Sequence, residues 1–415
     1  MQQPATQRWL WVTPAVADRR STGALVYSLS LVDAVAEHGV DMTCIGLGSD
    51  ADARNDVGPT YIAVDSPVRP GWQRLATTHP NQTAATSVRS FGARIEALLR
   101  ERWDVVVVDG MQTAWVASRL DSRRVGCVVH IGHNHEASMR TQIARSVPWS
   151  SLRRPLLELD ALKTTRLERA VVRRADVVTS ISAEDLERFR QDASHARHVL
   201  VQPGWSAPIE LRHPTPMSDR PRRVGILGSF EWHPKQEGLR RFLAVADPVF
   251  AREGIELVVA GKVPDDFRRP LEDRLMATRF LGWVDDPADV LSACRIGAIA
   301  EPLGGGFKLK ALDYVFNDVA VASLSHSAAG LPFVAGSSMI LGDDEASLVD
   351  AIVDAIDDSP FLERVVLEAR KIAADHFSWS AAARSLLDAV NGSDPGWELG
   401  TPATIDPPVE PGDRS

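Results

Sequence analysis

Three glycines and two lysines within residues 295–322, RIGAIAEPLGGGFKLKALDYVFNDVAVA, are the part of this chain best suited to chemistry. Gly304, Gly305 and Gly306 carry no Cβ, so backbone N–H groups there can close on a ligand. An apolar strand over residues 296–300 precedes them. A helix of about three turns is expected straight after, aiming the positive end of its dipole at the same spot. Lys308 and Lys310 fall in its first turn, although only six of the chain's 46 basic residues are lysine. The helix dipole opposes a cation there unless an anion offsets it. Leu309, Leu312 and Phe316 at i, i+3 and i+7 supply a buried face, and a further apolar strand begins near Val319. The plain alternative is a solvated helix start with two surface lysines. In this context the pattern favours an anion site, with a diphosphate as its natural guest.

A second constellation, His133-Asn134-His135-Glu136, lies just past the strand VGCVVHIG. Open parallel sheets place ligands at the carboxyl ends of strands. His130, His133, His135 and Glu136 also invite a metal reading, but i, i+2 spacing on a loop is poor ligand geometry and no Cys or further carboxylates cluster nearby. Lining of a site and plain structural polarity both stay open. Asp50-Ala51-Asp52 is formally a D-x-D metal motif, yet it sits in a polar turn with no apolar strand beside it, so no metal is expected there either.

The elements that must hold these groups alternate. WLWVTPAV reads as a strand, Ser21-Thr22-Gly23 as a turn and helix cap, residues 24–38 as a helix ended by Gly39, and VDMTCIGLG as a second strand. That opening is the start of a doubly wound parallel sheet, and Gly23 then borders its ligand crevice. Residues 49–90 are polar and aperiodic apart from TYIAV. A helix over 88–102 leads into WDVVVVDG, whose four valines predict burial on both faces. A short helix over 113–120 follows, and residues 150–174 form a long helix rich in arginine. Such a run is either a solvated face with i, i+4 ion pairs or a membrane-surface face. ADVVTSIS is a further strand, with Ser182 capping the next helix. Five prolines in residues 200–223 mark a linker. RVGILGSF then restarts the β-α pattern, with helices expected over 239–250 and 271–277.

Composition sets the outer bounds. The chain has 415 residues, enough for two domains of about 200 each. No apolar run approaches a membrane span, and the first residues lack the basic region and apolar core of a signal peptide, so a cytoplasmic location is expected. Cys44, Cys127 and Cys294 are scattered through apolar segments, which argues against disulfides and against a Cys-based metal site. The net charge is −9, and no basic excess marks a nucleic-acid binder. Residues 1–205 are mildly basic, 25 Lys+Arg against 22 Asp+Glu, so an anionic membrane or a phosphorylated acceptor remains open as a partner of that half.

The segment GGGFKLKALDYVFNDVAVAS resembles the phosphate-binding turn of GT-B fold glycosyltransferases, specifically the retaining family 4 (glycosyl transferases group 1) in its Gly-x-Gly-x-Lys-x-Lys branch. The resemblance extends from about residue 8 to residue 390. It implies an α/β fold of two Rossmann-like domains whose parallel sheets face each other across a cleft. The expected layout is an acceptor-side domain over 1–205, a linker over 206–221, a donor domain over 222–378, a terminal helix over 379–391 packing back on the first domain, and a disordered tail over 392–415.

The resemblance also implies roles. His133 would reach the transferred sugar with His135 in reserve, and Gly23, His135 and Glu136 would lie on the acceptor side. Gly228 and Lys235 would approach the donor phosphates, together with Gly304, Gly305, Gly306, Phe307, Lys308 and Lys310. Gly282, Trp283 and Val284 would meet the nucleotide base, although a lone Trp is commonly core. The family's Glu-x7-Glu pair becomes Gly305 and Asp313, leaving Asp313 to orient the ribose and Glu301 as a carboxylate near the sugar or facing solvent. Asn317 and Asp318 stand where the family prefers Gly, and either can take a left-handed cap. The activity implied is retaining transfer from a nucleotide-diphosphate sugar to an unidentified acceptor, with no metal and no cofactor. The rival is an inactive nucleotide-sugar-binding scaffold of the same fold, and a GT-B epimerase is a weaker third.

Overall fold

A computed structural model of the chain describes residues 6–16, 22–49, 58–205, 215–231, 233–301, 308–328 and 330–392. Gly304, Gly305, Gly306 and Phe307, the Asp50–Asp52 motif, most of the linker and the tail beyond Gly392 lie outside the described residues.

Two parallel sheets organise the described chain. The first contains β1 (Arg8–Ala15), β2 (Asp41–Leu47), β3 (Thr60–Val64), β4 (Trp103–Asp109), β5 (Val125–Gly132), β6 (Val177–Ser180) and β7 (Arg197–Leu200), in the order β3-β2-β1-β4-β5-β6-β7. The second contains β8 (Arg223–Leu227), β9 (Glu256–Ala260), β10 (Thr278–Gly282), β11 (Ile296–Ile299), β12 (Ala320–Leu324) and β13 (Ile340–Gly342), in the order β10-β9-β8-β11-β12-β13. The α/β class, two Rossmann-like units of the GT-B kind, is as expected. In both sheets the order of strands reverses once, at β1/β4 and at β8/β11. These switch points are where a doubly wound sheet opens a crevice beyond its carboxyl edge.

Covering both faces of each sheet explains the apolar strands. Val105 and Val107 of β4 enter one core layer with Trp9, Trp11 and Leu29, while Val106 and Val108 enter the opposite layer with Phe91 and Trp115. The helix Trp379–Asn391 packs against the helix Gly23–Glu37 and contributes Ala382, Ala383, Leu386 and Ala389 to the first domain's core. Trp205 stacks on Phe316 with ring centres 4.8 Å apart, and its backbone N–H donates to Phe377 O at 3.2 Å.

Several expectations need correction. β7 extends the first sheet beyond ADVVTSIS, its four residues being too short to register as a pattern. The polar stretch before β4 contains helices Gly71–Leu75 and Asn81–Thr86, the second held by Thr83 Oγ1 donating to Met111 O at 2.7 Å. In place of the helix expected over 113–120 there are a one-turn helix, Gly110–Thr113, and a 3-10 helix, Ala114–Arg119. The helix expected over 271–277 runs Asp265–Glu272 instead, because the Asp247 carboxylate takes the N–H groups of Met276 and Ala277 at 2.8 and 2.9 Å and starts β10 there. The helix after the glycine turn is only Lys310–Phe316, seven residues, and Ala311, Leu312, Tyr314 and Val315 are its buried face. It ends at Asp318, the one non-glycine residue with positive φ (55°) among those described.

Candidate active site

β11 delivers Glu301 to the switch point of the second sheet, where 7% of the residue is exposed. Its backbone carbonyl accepts the Ser327 hydroxyl, which fixes the chain as it leaves the strand. Three ammonium groups converge on its carboxylate: Lys310 Nζ at 2.5 Å, Lys308 Nζ at 3.7 Å and Lys235 Nζ at 4.0 Å. These are half of the chain's six lysines. Burial alone would raise the Glu301 pKa, but the three lysines overturn that and hold it well below the usual carboxylate range. Lys308 and Lys235 are pushed down from the ordinary lysine value, mainly by burial and further by Lys310, with Glu301 opposing. Glu301 is the carboxylate that all three cations share.

Glycine shapes the floor beside this cluster. A Cβ at Gly228 would lie 3.4 Å from Lys310 Nζ, and a Cβ at Gly261, where φ is +126°, would collide with the Gly228 carbonyl. The Gly261 N–H donates to Gly282 O at 2.7 Å. The ends of β8, β9 and β10 are thus drawn together. They open onto a cleft of about 490 Å³ lined by Gly261, Lys262, Val263, Phe280, Gly282 and Trp283. Trp283 is 46% exposed, so it is not core, and Lys262 Nζ stands 5.1 Å from its ring centre. An accessible aromatic face next to a cation suits a flat heterocycle. Val284 is half-buried and packs against the second domain's core. Asp313, in the first turn after Lys310, is partly accessible yet pushed up to about 7, by burial and by Asp286, against the pull of Lys310.

The first sheet presents a different group. Asp109, the last residue of β4, is fully buried and accepts from Trp11 Nε1 at 2.9 Å and from His133 Nε2 at 2.8 Å. Burial works to raise the Asp109 pKa, but His133, with help from Trp11 and Ser28, outweighs it and holds it low. An ionised carboxylate only accepts, so the Nε2 proton of His133 points at Asp109. Tyr27 meets the His133 ring edge-on at 5.5 Å, and Ser28 Oγ lies 3.4 Å from Nε2. Gly110, at φ +71°, makes room, since a Cβ there would press on His133 Cδ2 at 3.1 Å.

His135 goes elsewhere. Its Nδ1 caps the helix Glu136–Ser146 by accepting from Ser138 N, its Nε2 lies 3.2 Å from Asp192, and Phe189 packs edge-on at 5.0 Å. Glu168 supports the same cap, taking the N–H groups of Glu136 and Ala137 at 2.8 Å each. Burial pushes Glu168 up to about 8, those two N–H groups opposing. Glu136 turns its own side chain to Gln82 and Arg140. His130 is buried within the strand, where burial lowers it to about 4. The four-residue cluster that invited a metal reading is thereby divided among separate hydrogen-bond partners.

The two constellations meet across the cleft. A Cβ on Gly23 would touch Leu309 Cδ1 at 3.1 Å, and Leu309 stands between Lys308 and Lys310. Tyr27, one turn along the helix from Gly23, contacts His133. A Cβ on Gly330 of the second domain would lie 3.5 Å from Ser182 Cβ of the first. Lys235, Glu301 and Lys310 line one pocket and Gly282 and Trp283 another; Lys308 reaches Glu301 and Gly23 lies against Leu309, while His135 and Glu136 anchor a helix of the first domain. Asp109, Tyr27 and Gly261 were not singled out from the sequence. The Asp-Gly pair closing the four-valine strand was the available signal for the first of them.

The chain matches the family model described as "Glycosyl transferase 4-like domain" over residues 22–205 and the one described as "Glycosyl transferases group 1" over residues 221–358. No curated protein matches. Among solved structures it is similar to sucrose-phosphate synthase from Thermosynechococcus elongatus, at 17% identity and TM-score 0.69 over 93% of this chain and 98% of that one. It is similar to Anabaena HepE in complex with UDP and glucose, at 14% identity and TM-score 0.65 over 93% and 100%. A UDP-forming α,α-trehalose-phosphate synthase from Burkholderia xenovorans matches at 14% identity and TM-score 0.62 over 93% and 99%. With a family model matched on each of its two sheets, the chain belongs to the glycosyl transferases group 1 family and is a glycosyltransferase of the GT-B fold.

Proposed function

We propose that this glycosyltransferase moves a sugar from a nucleotide-diphosphate sugar to its acceptor with retention of anomeric configuration and without a resident metal. The observation that carries the reading is the convergence of Lys235, Lys308 and Lys310 on the single carboxylate of Glu301. Breaking the anomeric C–O bond leaves negative charge on the departing diphosphate. Fixed ammonium groups in a largely buried site stabilise that charge without an ion. Trp283 and the glycine-lined cleft beside it would take the base, and Asp313 the ribose. His133, its ring set by Asp109 and Tyr27, would face the sugar. Retention rests on the resemblance of the glycine-turn segment to retaining enzymes. UDP-glucose is the first donor to try, because Anabaena HepE, of similar fold, has been solved with it.

A donor screen by melting temperature tests the binding half, since a ligand that binds only the native state must stabilise it. Nucleotide release with and without chelator, followed by NMR of the product's anomeric proton, tests the rest. A nucleotide sugar should raise the melting temperature and turn over in chelator to a retained product. Loss of turnover in chelator would remove the metal-free claim, and an inverted product the retaining one. A donor that binds but is never cleaved, whatever acceptor is offered, would favour the scaffold.

A further inference from the structure

The first domain carries a helical hairpin that the cleft does not use. The helix Glu136–Ser146 leaves the carboxyl end of β5, and the helix Arg154–Arg174 returns packed beside it to the start of β6. Glu168, bonded to the N–H groups of Glu136 and Ala137, marks the level at which the hairpin leaves the sheet. Arg154 comes fourteen residues before it. At 1.5 Å per residue the helix therefore starts about 21 Å beyond that level. Residues 147–153 form the tip, standing out from the cleft end of the domain.

That tip is apolar where it meets water. Trp149 is 83% exposed and Leu152 93%, and Leu156, Leu159 and Leu162 continue down the outer face at 51, 48 and 46%. Their spacing keeps the three leucines opposite the buried Ala161, Thr164, Glu168 and Val172 of the same helix. Single exposed leucines are ordinary, but five large apolar side chains within fourteen residues form a patch. Residues 137–157 contain Arg140, Arg145, Arg153 and Arg154 and no Asp or Glu, in a chain whose net charge is −9. Glu136 and Glu158, the residues on either side of that span, pair with Arg140 and Arg154, while Arg145 and Arg153 are exposed at the tip. Arg154 stacks 3.4 Å over the Trp149 ring. Arg166 and Arg173 extend the basic edge along the exposed side of the helix.

We infer that this tip docks on an anionic bilayer surface, with Trp149 and Leu152 entering the headgroup boundary while Arg145 and Arg153 meet lipid phosphates. An exposed apolar edge with arginines beside it is the arrangement that binds such interfaces. A second copy of the chain fits less well, because a stable dimer buries at least about 1,200 Å² and a projecting loop with part of one helix face offers little of that. A bilayer accepts a protruding knob without a matching surface.

The test is flotation of the full-length protein with vesicles of phosphatidylcholine, or of phosphatidylcholine with about one third phosphatidylglycerol, at low and high salt. The protein should partition onto the anionic vesicles and lose that binding as salt screens it. Trp149→Ser with Leu152→Ser should weaken binding about tenfold or more, and Arg145→Gln with Arg153→Gln should abolish the preference for anionic lipid. Both variants should keep the wild-type melting temperature and donor cleavage, since the substituted side chains lie at the surface. Failure of the wild type to float with anionic vesicles overturns the assignment, as does flotation untouched by the Trp149/Leu152 change. A dimer in solution that the same change dissolves would hand the tip to a second copy.

Discussion

Replacing Glu301 with Gln removes one negative charge and almost no volume from the centre of the lysine cluster. In the free protein the three ammonium groups at 2.5, 3.7 and 4.0 Å lose their shared partner. Breaking a buried ion pair from one side costs ~3–5 kcal/mol, because the remaining charges stay desolvated. For a domain of this size that lowers the melting temperature by roughly 6–20 °C. The effect on a bound diphosphate has the opposite sign. A phosphate charge about 6 Å from Glu301 is repelled by ~3 kcal/mol at an effective dielectric of about 20, which is roughly a hundredfold in affinity. Glu301→Gln should therefore melt earlier when empty and bind UDP or inorganic pyrophosphate more tightly, recovering most of its stability when saturated. Calorimetric titration of both ligands, beside melting curves, measures the two halves separately. Unchanged or weaker UDP binding in the variant would refute the idea that the Glu301 charge opposes a diphosphate held by the three lysines. Lys310→Met is the control, and it should lose both UDP affinity and turnover.

Further expectations rest on neighbouring groups. Lys308→Ala should cut turnover by roughly two orders of magnitude or more if it stabilises the departing diphosphate, and an unchanged kcat would take it out of the site. Asp313, raised to about 7, is protonated in the folded chain at pH values where an unfolded Asp is ionised. Its contribution to stability is present below the unfolded pKa and is lost as pH rises through about 7, while donor binding that needs the carboxylate should rise over the same window. Asp313→Asn should erase that step from a pH profile of kcat/KM. Glu168, raised to about 8, has the same sign. Its share of stability declines as pH rises from the ordinary carboxylate range through about 8, and melting curves of Glu168→Gln should show a shallower decline. Asp318 holds φ 55° while its carboxylate pairs with Arg370 at 2.5 Å. Asp318→Ala should lose about 1–2 kcal/mol in denaturant unfolding, keeping the strain without the ion pair, and Asp318→Gly should lose less because glycine removes the strain.

What could be read from the sequence was whatever local pattern specifies. Four consecutive valines fixed a strand covered on both faces, and the strand-glycine-lysine order at residues 296–310 pointed to a cation cluster at a strand's carboxyl end. Partners distant in sequence were not legible in the same way. The family resemblance put Lys235 near the donor phosphates, but nothing in the local pattern pairs it with Glu301, 66 positions later. They meet because β8 and β11 are neighbours at the switch point, so that a loop after one strand and the end of the other open on the same crevice. Asp109 and His133 meet for the same reason, β4 and β5 being adjacent with Asp109 opposite Ile131, two residues before His133. His135 shows the converse. Two positions from His133 on a loop, it looks equivalent in the sequence, but the helix beginning at Glu136 needs a cap, and that local demand turns its ring toward Ser138 and Asp192. Side chains at a switch point are sorted by which strands adjoin and by which backbone groups need a partner. A motif therefore locates the crevice sooner than it identifies the residues that line it.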